Sequence, residues 1–176
     1  NLFINIGELP AVMTDDVSPQ DGFMDADFDQ DGFITFMDLN QQNLTAEQQA
    51  VMDAVGLVQP VSPLDLLDAV SNGVDEDDGG EFPDDVIGWN FEGDGNNLPL
   101  PDRGIPGWQH GTWMAGTIAA VGNNTLDVTG VAWRARILPI RAGGTQVFYE
   151  GEVQFGMYRP EVCRAFAYAV KKGADV

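Results

Sequence analysis

The single histidine of the chain, His110, is the side chain best suited to proton transfer near neutral pH. It begins a run of small and apolar residues, 111–120, which predicts a helix able to pack closely against a sheet. An imidazole near a helix N-terminus is held toward its neutral form, as a general base requires. A lone histidine is more often structural than catalytic, so this observation alone leaves both interpretations open.

Aspartates supply a second kind of chemistry in residues 27–38, where oxygen-bearing side chains alternate along the chain. Gly32 at the sixth position permits the sharp turn of a twelve-residue calcium loop, and Asp38 closes it where a longer glutamate is commoner. The predicted ligands are Asp27, Asp29, Asp31, the Phe33 carbonyl, Thr35 and Asp38. The pattern resembles an EF-hand or dockerin-type loop, and the alternative interpretation is a solvated, Asp-rich turn.

A further acidic stretch, residues 72–85, also has the composition of a calcium loop. Asp75 and Asp77 occupy alternate positions, and the glycines permit turns. Asp84 or Asp85 would then return a carboxylate to the same ion. The stretch lacks a clean twelve-residue count. It therefore predicts a second, less regular calcium site.

Charge is distributed unevenly along the chain. The whole sequence has 28 acidic and 8 basic residues, a formal net charge of -20, and residues 1–102 contain no lysine or arginine. Such a chain is repelled by nucleic acids and anionic membrane surfaces, so binding to them is excluded. Hydrophobic residues make up 44%, enough for a core, and no apolar run is long enough to span a membrane.

The elements that must position these residues differ between the two parts of the chain. Residues 45–48 form a capping box, which predicts a short helix that ends at Gly56. The later part is rich in glycine and alanine and has the pattern of alternating helices and strands. Cys163 is the one cysteine, so no internal disulfide can form, and its place in a predicted helix suggests burial.

Residues 110–117, His-Gly-Thr-Trp-Met-Ala-Gly-Thr, resemble the histidine motif of the subtilisin-like serine peptidases (peptidase family S8), which reads His-Gly-Thr-His-Val-Ala-Gly-Thr. Other segments are similar to stretches around that motif: 72–91, 121–132, 135–141, 165–176 and, more weakly, 6–10. Three parts are therefore predicted. They are the start of a peptidase-like segment at 1–10, a calcium-binding insertion at 11–71 and a partial peptidase domain at 72–176.

The resemblance implies an α/β fold, part of a doubly wound and mainly parallel sheet. It makes His110 the general base, which takes the proton from a serine hydroxyl and returns it to the leaving amine. The triad order of the family is Asp, His, Ser, which places the aspartate before residues 6–10 and the serine after Val176. The chain is therefore expected to be a piece of a longer protein that carries one member of the triad.

Three further positions follow from the resemblance. Arg141 and Gly143 belong to a region that lines the substrate cleft, where an extended peptide could pair as an added strand. Asn124 matches a calcium ligand of the family, and the alternative is an ordinary Asn-Asn turn. Two residues depart from the family motif: Trp113 replaces its second histidine and Gln109 its preceding glycine.

The sequence predicts a fragment of a secreted, calcium-binding serine endopeptidase with a polypeptide substrate and Ca²⁺ as its cofactor. The departures at Gln109 and Trp113 leave open an alternative, a non-catalytic secreted calcium-binding module on a degenerate peptidase scaffold. A third interpretation makes loop 27–38 a dockerin-like element that binds a partner. Dockerins usually pair two such loops, and only one clean copy is present.

Overall fold

The structure is a computed structural model that describes residues 2–14, 25–75, 77, 79–96, 109–123, 128–147, 153–157 and 159–175. The chain divides into two compact units, Leu2–Ile87 and Gly88–Val176. The three sequence segments predicted above, with boundaries at residues 10 and 71, stay a prediction.

The first unit is built from short helices joined by turns. Its described residues form a 3₁₀ turn, Ile6–Glu8, and the helices α1 Ala11–Thr14, α2 Phe36–Leu39, α3 Ala46–Ala54 and α4 Pro63–Val70. Capping boxes open the last three helices, with Thr35 and Asp38, Thr45 and Gln48, and Ser62 and Asp65 as the pairs. The predicted box at 45–48 and its helix are confirmed, and Gly56 follows with a positive φ of 74°.

Apolar side chains from these helices and from the turns between them form the core of the first unit. The buried residues include Met13, Ile34, Leu39, Met52, Leu66 and Val86. Asn40 fastens the turn before α4, since its amide accepts from Val61 N at 2.7 Å and donates to Val61 O at 2.9 Å. Short helices are marginal alone, so this packing and the caps hold them.

The second unit combines helices with short strands. Its elements are β1 Trp89–Asn90, α5 His110–Ala119, β2 Ile140–Arg141, β3 Gly143–Val147, β4 Val153–Met157 and α6 Arg159–Lys171. β1 and β2 pair in parallel, with Trp89 opposite Ile140, whereas β3 and β4 form an antiparallel pair. The described strands thus include both directions of pairing, and the doubly wound parallel sheet stays a prediction.

Helix α6 buries one face in this unit. Tyr168 is 1% exposed and meets Phe91 edge to face, with 5.8 Å between the ring centroids. Arg164 lies 5.1 Å from the Phe91 ring and forms an ion pair with Asp94 at 3.1 Å. Cys163 is exposed, so the prediction of burial was wrong, because its helical position faces away from the side that carries Tyr168. Among the described residues no helix has the length and apolar character needed to cross a membrane.

Candidate functional site

His110 is the first residue of α5, and its side chain is exposed. Gln109 is the N-cap residue, and its side chain makes no capping hydrogen bond. The first turn is closed by the backbone hydrogen bond from Trp113 N to Gln109 O, 2.9 Å. Within the described part of the chain, no side chain hydrogen-bonds the imidazole. The helix that the sequence predicts at His110 is therefore present and begins at an exposed imidazole, and the role of His110 as the general base stays a prediction.

The other end of α5 is held by the segment that follows it. Gly130 N donates to Ala120 O at 2.9 Å, Val131 N to Thr117 O at 3.1 Å and Ala132 N to Ile118 O at 2.8 Å. A Cβ on Gly130 would collide with the backbone of Ala119 and Ala120, so the close approach requires glycine. These bonds fix the helix that carries His110.

Most of α5 itself is uncovered in the described chain. Trp113 is 63% exposed, Met114 46% and Ile118 45%, whereas Ala119 is buried. Trp113 lies one turn after His110, so both side chains stand on neighbouring positions of the same helix surface. The indole is thus placed where it can shape the surroundings of His110.

The loop at 27–38 brings three of its predicted ligands together. Carboxylate oxygens of Asp27, Asp29 and Asp38 all lie within 4.8 Å of one another. Asp27 accepts from Asp31 N at 3.1 Å and from Gly32 N at 2.8 Å, and Gly32 has a φ of 90°. The turn predicted at Gly32 is therefore present, and it folds the loop around the Asp27 carboxylate.

The carboxylates of this loop repel one another. Burial raises the pKa of Asp27, and the neighbouring carboxylates of Asp38 and Asp31 raise it further. The pKa of Asp29 is raised as well, first by burial and then by Asp38 and Asp31. Three oxygen donors at this spacing suit a hard cation such as Ca²⁺, whose charge would offset the repulsion between them.

The remaining predicted ligands of the loop have other contacts. Asp31 is exposed, and its carboxylate accepts from Phe33 N at 3.0 Å. The Thr35 hydroxyl donates to Asp38 at 2.8 Å and accepts from Met37 N at 3.1 Å, so it caps α2. The three-carboxylate group does not include these residues. Their role as ligands stays a prediction.

A second acidic group contains a residue that the sequence analysis missed. Carboxylate oxygens of Glu8, Asp75 and Asp77 lie within 4.8 Å of one another. Asn5 adds to this cluster, because its amide donates to Asp77 at 3.0 Å and to Asp85 at 2.5 Å. No spacing rule could have joined Glu8 to residues so distant in sequence, although residues 6–10 had been singled out by resemblance.

Asp84 and Asp85 stand beside this group with different contacts. Asp84 has a positive φ of 54°, and its carboxylate accepts from Asn72 N at 2.6 Å and Gly73 N at 2.8 Å. Its own N–H donates to Glu8 at 3.1 Å. Asp85 is fully buried beside Asn5. Neither belongs to the three-carboxylate group, and both stay predicted ligands.

The residues predicted to line a substrate cleft lie where β2 leads into β3. Arg141 forms an ion pair with Glu92, and its Nε donates to Gly143 O at 3.1 Å. Gly143 is buried and pairs with Met157 across β3 and β4. The predicted calcium ligand Asn124 lies outside the described residues. Substrate binding by Arg141 and Gly143 therefore stays a prediction.

Comparison with known proteins adds the decisive observation. The family model described as the subtilase family of S8 peptidases matches residues 12–176, nearly the whole chain. The chain belongs to the subtilase family. An α/β fold follows from this membership, and the resemblance seen at His110 is confirmed.

Two curated relatives of this subtilase chain carry protease names. The extracellular basic protease of Dichelobacter nodosus is 34% identical over 111 residues, which cover 61% of the chain and 18% of the relative. The extracellular protease of Xanthomonas campestris pv. campestris is 54% identical over 35 residues, or 20% of the chain and 6% of the relative. The chain thus spans less than a fifth of either. No solved structure matches it.

Proposed function

We propose that this subtilase chain is part of a secreted, calcium-binding serine endopeptidase and that His110 is its general base. The observation that carries the proposal is the placement of His110, exposed at the first residue of α5 within the region matched by the subtilase family. An imidazole so placed is accessible to a serine hydroxyl, whose proton it would accept.

In this mechanism His110 removes the proton from a serine hydroxyl as the oxygen attacks a peptide carbonyl. The imidazolium then donates that proton to the leaving amine, and a water molecule repeats the sequence to release the acyl group. An aspartate orients the imidazole, and preorganised N–H donors stabilise the oxyanion. The aspartate and the serine are proposed to lie outside these 176 residues.

Calcium binding is proposed for the two acidic clusters. Asp27, Asp29 and Asp38 would hold one ion and Glu8, Asp75 and Asp77 another, with oxygen donors only. The ions supply positive charge, which stabilises the folded form by mass action and relieves repulsion between carboxylates. Because the second cluster joins Glu8 to the loop at 75–77, an ion there would tie two distant parts of the first unit together.

Secretion is supported by the extracellular protease names of both relatives. A polypeptide substrate is supported by the family, and β3 offers a strand to which an extended peptide could add beside Arg141 and Gly143. Extracellular calcium is millimolar, so sites built from loops and short carboxylates would be filled there.

The test is hydrolysis of an unfolded protein substrate by the full-length protein and its His110→Ala variant. We expect kcat/KM to fall by about 10⁴-fold or more, because the serine loses its proton acceptor. Met114→Leu, a volume-conserving change in the same helix, should keep most of the activity. Equal hydrolysis by the wild type and His110→Ala would contradict the proposal.

The non-catalytic alternative is favoured by one specific observation, the exposed Trp113 one turn after His110 where the family motif has a second histidine. An organofluorophosphonate, which labels only an activated serine, separates the two functions. Labelling of the full-length protein supports the peptidase. A folded, calcium-binding protein that stays unlabelled supports the non-catalytic module.

A further inference from the structure

The carboxyl ends of β1 and β2 lie side by side in the second unit. The two strands are parallel, with Asn90 opposite Arg141, and Phe91 N extends the pairing by donating to Arg141 O at 2.8 Å. Ligands of α/β folds bind outside the carboxyl ends of parallel strands. The segments that leave this edge, 92–95 after β1 and β3 after β2, are therefore placed where such folds bind their ligands.

The turn after β1 is fixed by Asn90, which is 8% exposed. Its side-chain oxygen accepts from Glu92 N at 3.1 Å and from Gly93 N at 3.2 Å. Its backbone pairs with Gly95 in both directions, at 2.9 and 3.2 Å. The backbone of Glu92 therefore has a defined position beside the end of β2.

The Glu92 side chain meets two groups at the start of β3. Its carboxylate forms an ion pair with Arg141, and the side chains are 27% and 30% exposed, respectively. A Cβ on Gly144 would collide with the same carboxylate, and the three atoms nearest to that Cβ all belong to the Glu92 carboxyl group. Gly144 is buried. The Glu92 carboxylate thus covers the backbone of Gly144.

Arg141 extends this contact to the neighbouring residue. One guanidinium nitrogen pairs with Glu92, and Nε donates to Gly143 O at 3.1 Å. Glycine has the most backbone freedom of all residues, so two glycines in succession do little to hold the start of a strand. The ion pair therefore supplies a constraint at Gly143 and Gly144 in addition to their pairing with β4.

A second ion pair leaves the same turn in another direction. Asp94 pairs with Arg164 of α6 at 3.1 Å, and their side chains are 69% and 51% exposed, respectively. This pair ties the turn to α6, whereas the pair of Glu92 with Arg141 ties it to β3. The two acids thus have the same charge and the same segment but different targets.

We propose that Glu92 is a positioning residue for the polypeptide substrate, because it fixes the start of β3 through Arg141 and Gly144. This inference rests on the proposed peptidase function, in which an extended peptide adds to β3. Such a peptide binds through main-chain hydrogen bonds, which require the donors and acceptors of the strand in one geometry. A strand that is already held loses less conformational entropy when the peptide binds.

The test compares Glu92→Gln with Asp94→Asn in the full-length protein, with oxidised insulin B chain as an unfolded polypeptide substrate. Each variant removes one negative charge from the same turn and one partner from an ion pair. We expect Glu92→Gln to raise KM by roughly threefold and to keep kcat within about twofold, since it weakens the ground state and the transition state alike. Asp94→Asn should leave both constants unchanged.

Gly144→Ala gives a second measurement that a general loss of stability would not reproduce. In the wild type the added methyl group meets the Glu92 carboxylate and should raise KM. In the Glu92→Ala background that carboxylate is gone, so the same substitution should add little. Gly144 lies in the extended backbone of β3, which alanine also adopts. An equal effect of Gly144→Ala in both backgrounds would contradict the proposed contact.

Peptide binding is measured apart from catalysis by the anisotropy of fluorescein-labelled B chain with the full-length His110→Ala variant. Glu92→Gln in that background should raise Kd by a factor similar to the rise in KM. Equal hydrolysis by the wild type and His110→Ala, together with weaker binding by Glu92→Gln, would contradict the proposed peptidase mechanism and support the role of Glu92.

Four outcomes would overturn the role of Glu92, whatever the effect of His110→Ala on kcat. They are an unchanged KM and Kd in Glu92→Gln, an equal effect of Asp94→Asn, a fall in kcat with KM unchanged, and absence of peptide binding. Urea unfolding of each variant shows whether a weaker binding comes from a loss of fold.

Discussion

The carboxylate of Asp38 accepts from Asp29 N at 3.1 Å and from the N–H and hydroxyl of Thr35, both at 2.8 Å. The same carboxylate lies within 4.8 Å of oxygens of Asp27 and Asp29. Asp38 thus closes the loop by hydrogen bonds and also completes the group of three carboxylates that it forms with Asp27 and Asp29. Its shorter reach relative to glutamate does not prevent either contact.

Asp38→Asn is expected to weaken calcium binding by about tenfold or more, because one of three charged oxygen donors is lost. The variant should also be less stable in chelator by about 1–3 kcal/mol, since buried N–H donors lose an ionised acceptor. Calorimetric titration and urea unfolding measure the two effects. Asp53→Asn, an exposed acid of α3 outside both acidic groups, is the control that should leave both quantities unchanged.

Among the helices, α4 shows how a local cap makes stability depend on pH. Hydrogen bonds from the Ser62 side chain and backbone lower the pKa of Asp65. A carboxyl whose pKa is lower in the folded chain than in the unfolded chain contributes stability above its unfolded value. That contribution is lost as the pH falls through the folded value.

Asp65→Asn should therefore lower the unfolding free energy at pH 7, and the difference from the wild type should shrink as the pH falls below about 4. Urea unfolding at pH 7, 5, 4 and 3 measures this difference. Ser62→Ala removes the partner that contributes most and should reproduce part of the effect. A difference that stays constant over that range would show that the capping charge has no part in it.

For the whole molecule, the formal net charge of -20 opposes the compact state, and residues 1–102 contain 23 acidic residues and no lysine or arginine. The two acidic groups concentrate this charge where ions could offset it. Folding stability should therefore depend on calcium more than on general ionic strength.

Millimolar calcium is expected to raise the melting temperature relative to chelator. When free calcium is at a hundred times the dissociation constant of a site, binding adds about 2.7 kcal/mol to the unfolding free energy. For a chain of this size that gain raises the melting temperature by roughly 5–10 °C. Thermal melts in chelator, in calcium and in sodium chloride of equal ionic strength measure the effect. An unchanged melting temperature in calcium, or an equal rise with sodium chloride, would contradict the proposed calcium sites.

Local features were predictable from the sequence because their hydrogen bonds join residues a few positions apart. The capping box at 45–48, the turn at Gly32 and the helix that begins at His110 are of this kind. Family membership was predictable for a similar reason. The motif at 110–117 is a continuous string of residues, so it can be recognised without knowledge of the tertiary fold.

Contacts between distant residues depended on the tertiary structure. The approach of Glu8 to Asp75 and Asp77 and the parallel pairing of Trp89 with Ile140 join segments that no local pattern relates. The exposure of Cys163 depends on which side of α6 is covered, and composition does not encode that choice. The sequence by itself therefore determined the family, the turn of the Asp-rich loop at 27–38 and the helix that begins at His110. The tertiary packing decided which carboxylates converge, because their meeting depends on the folding of the segments between them.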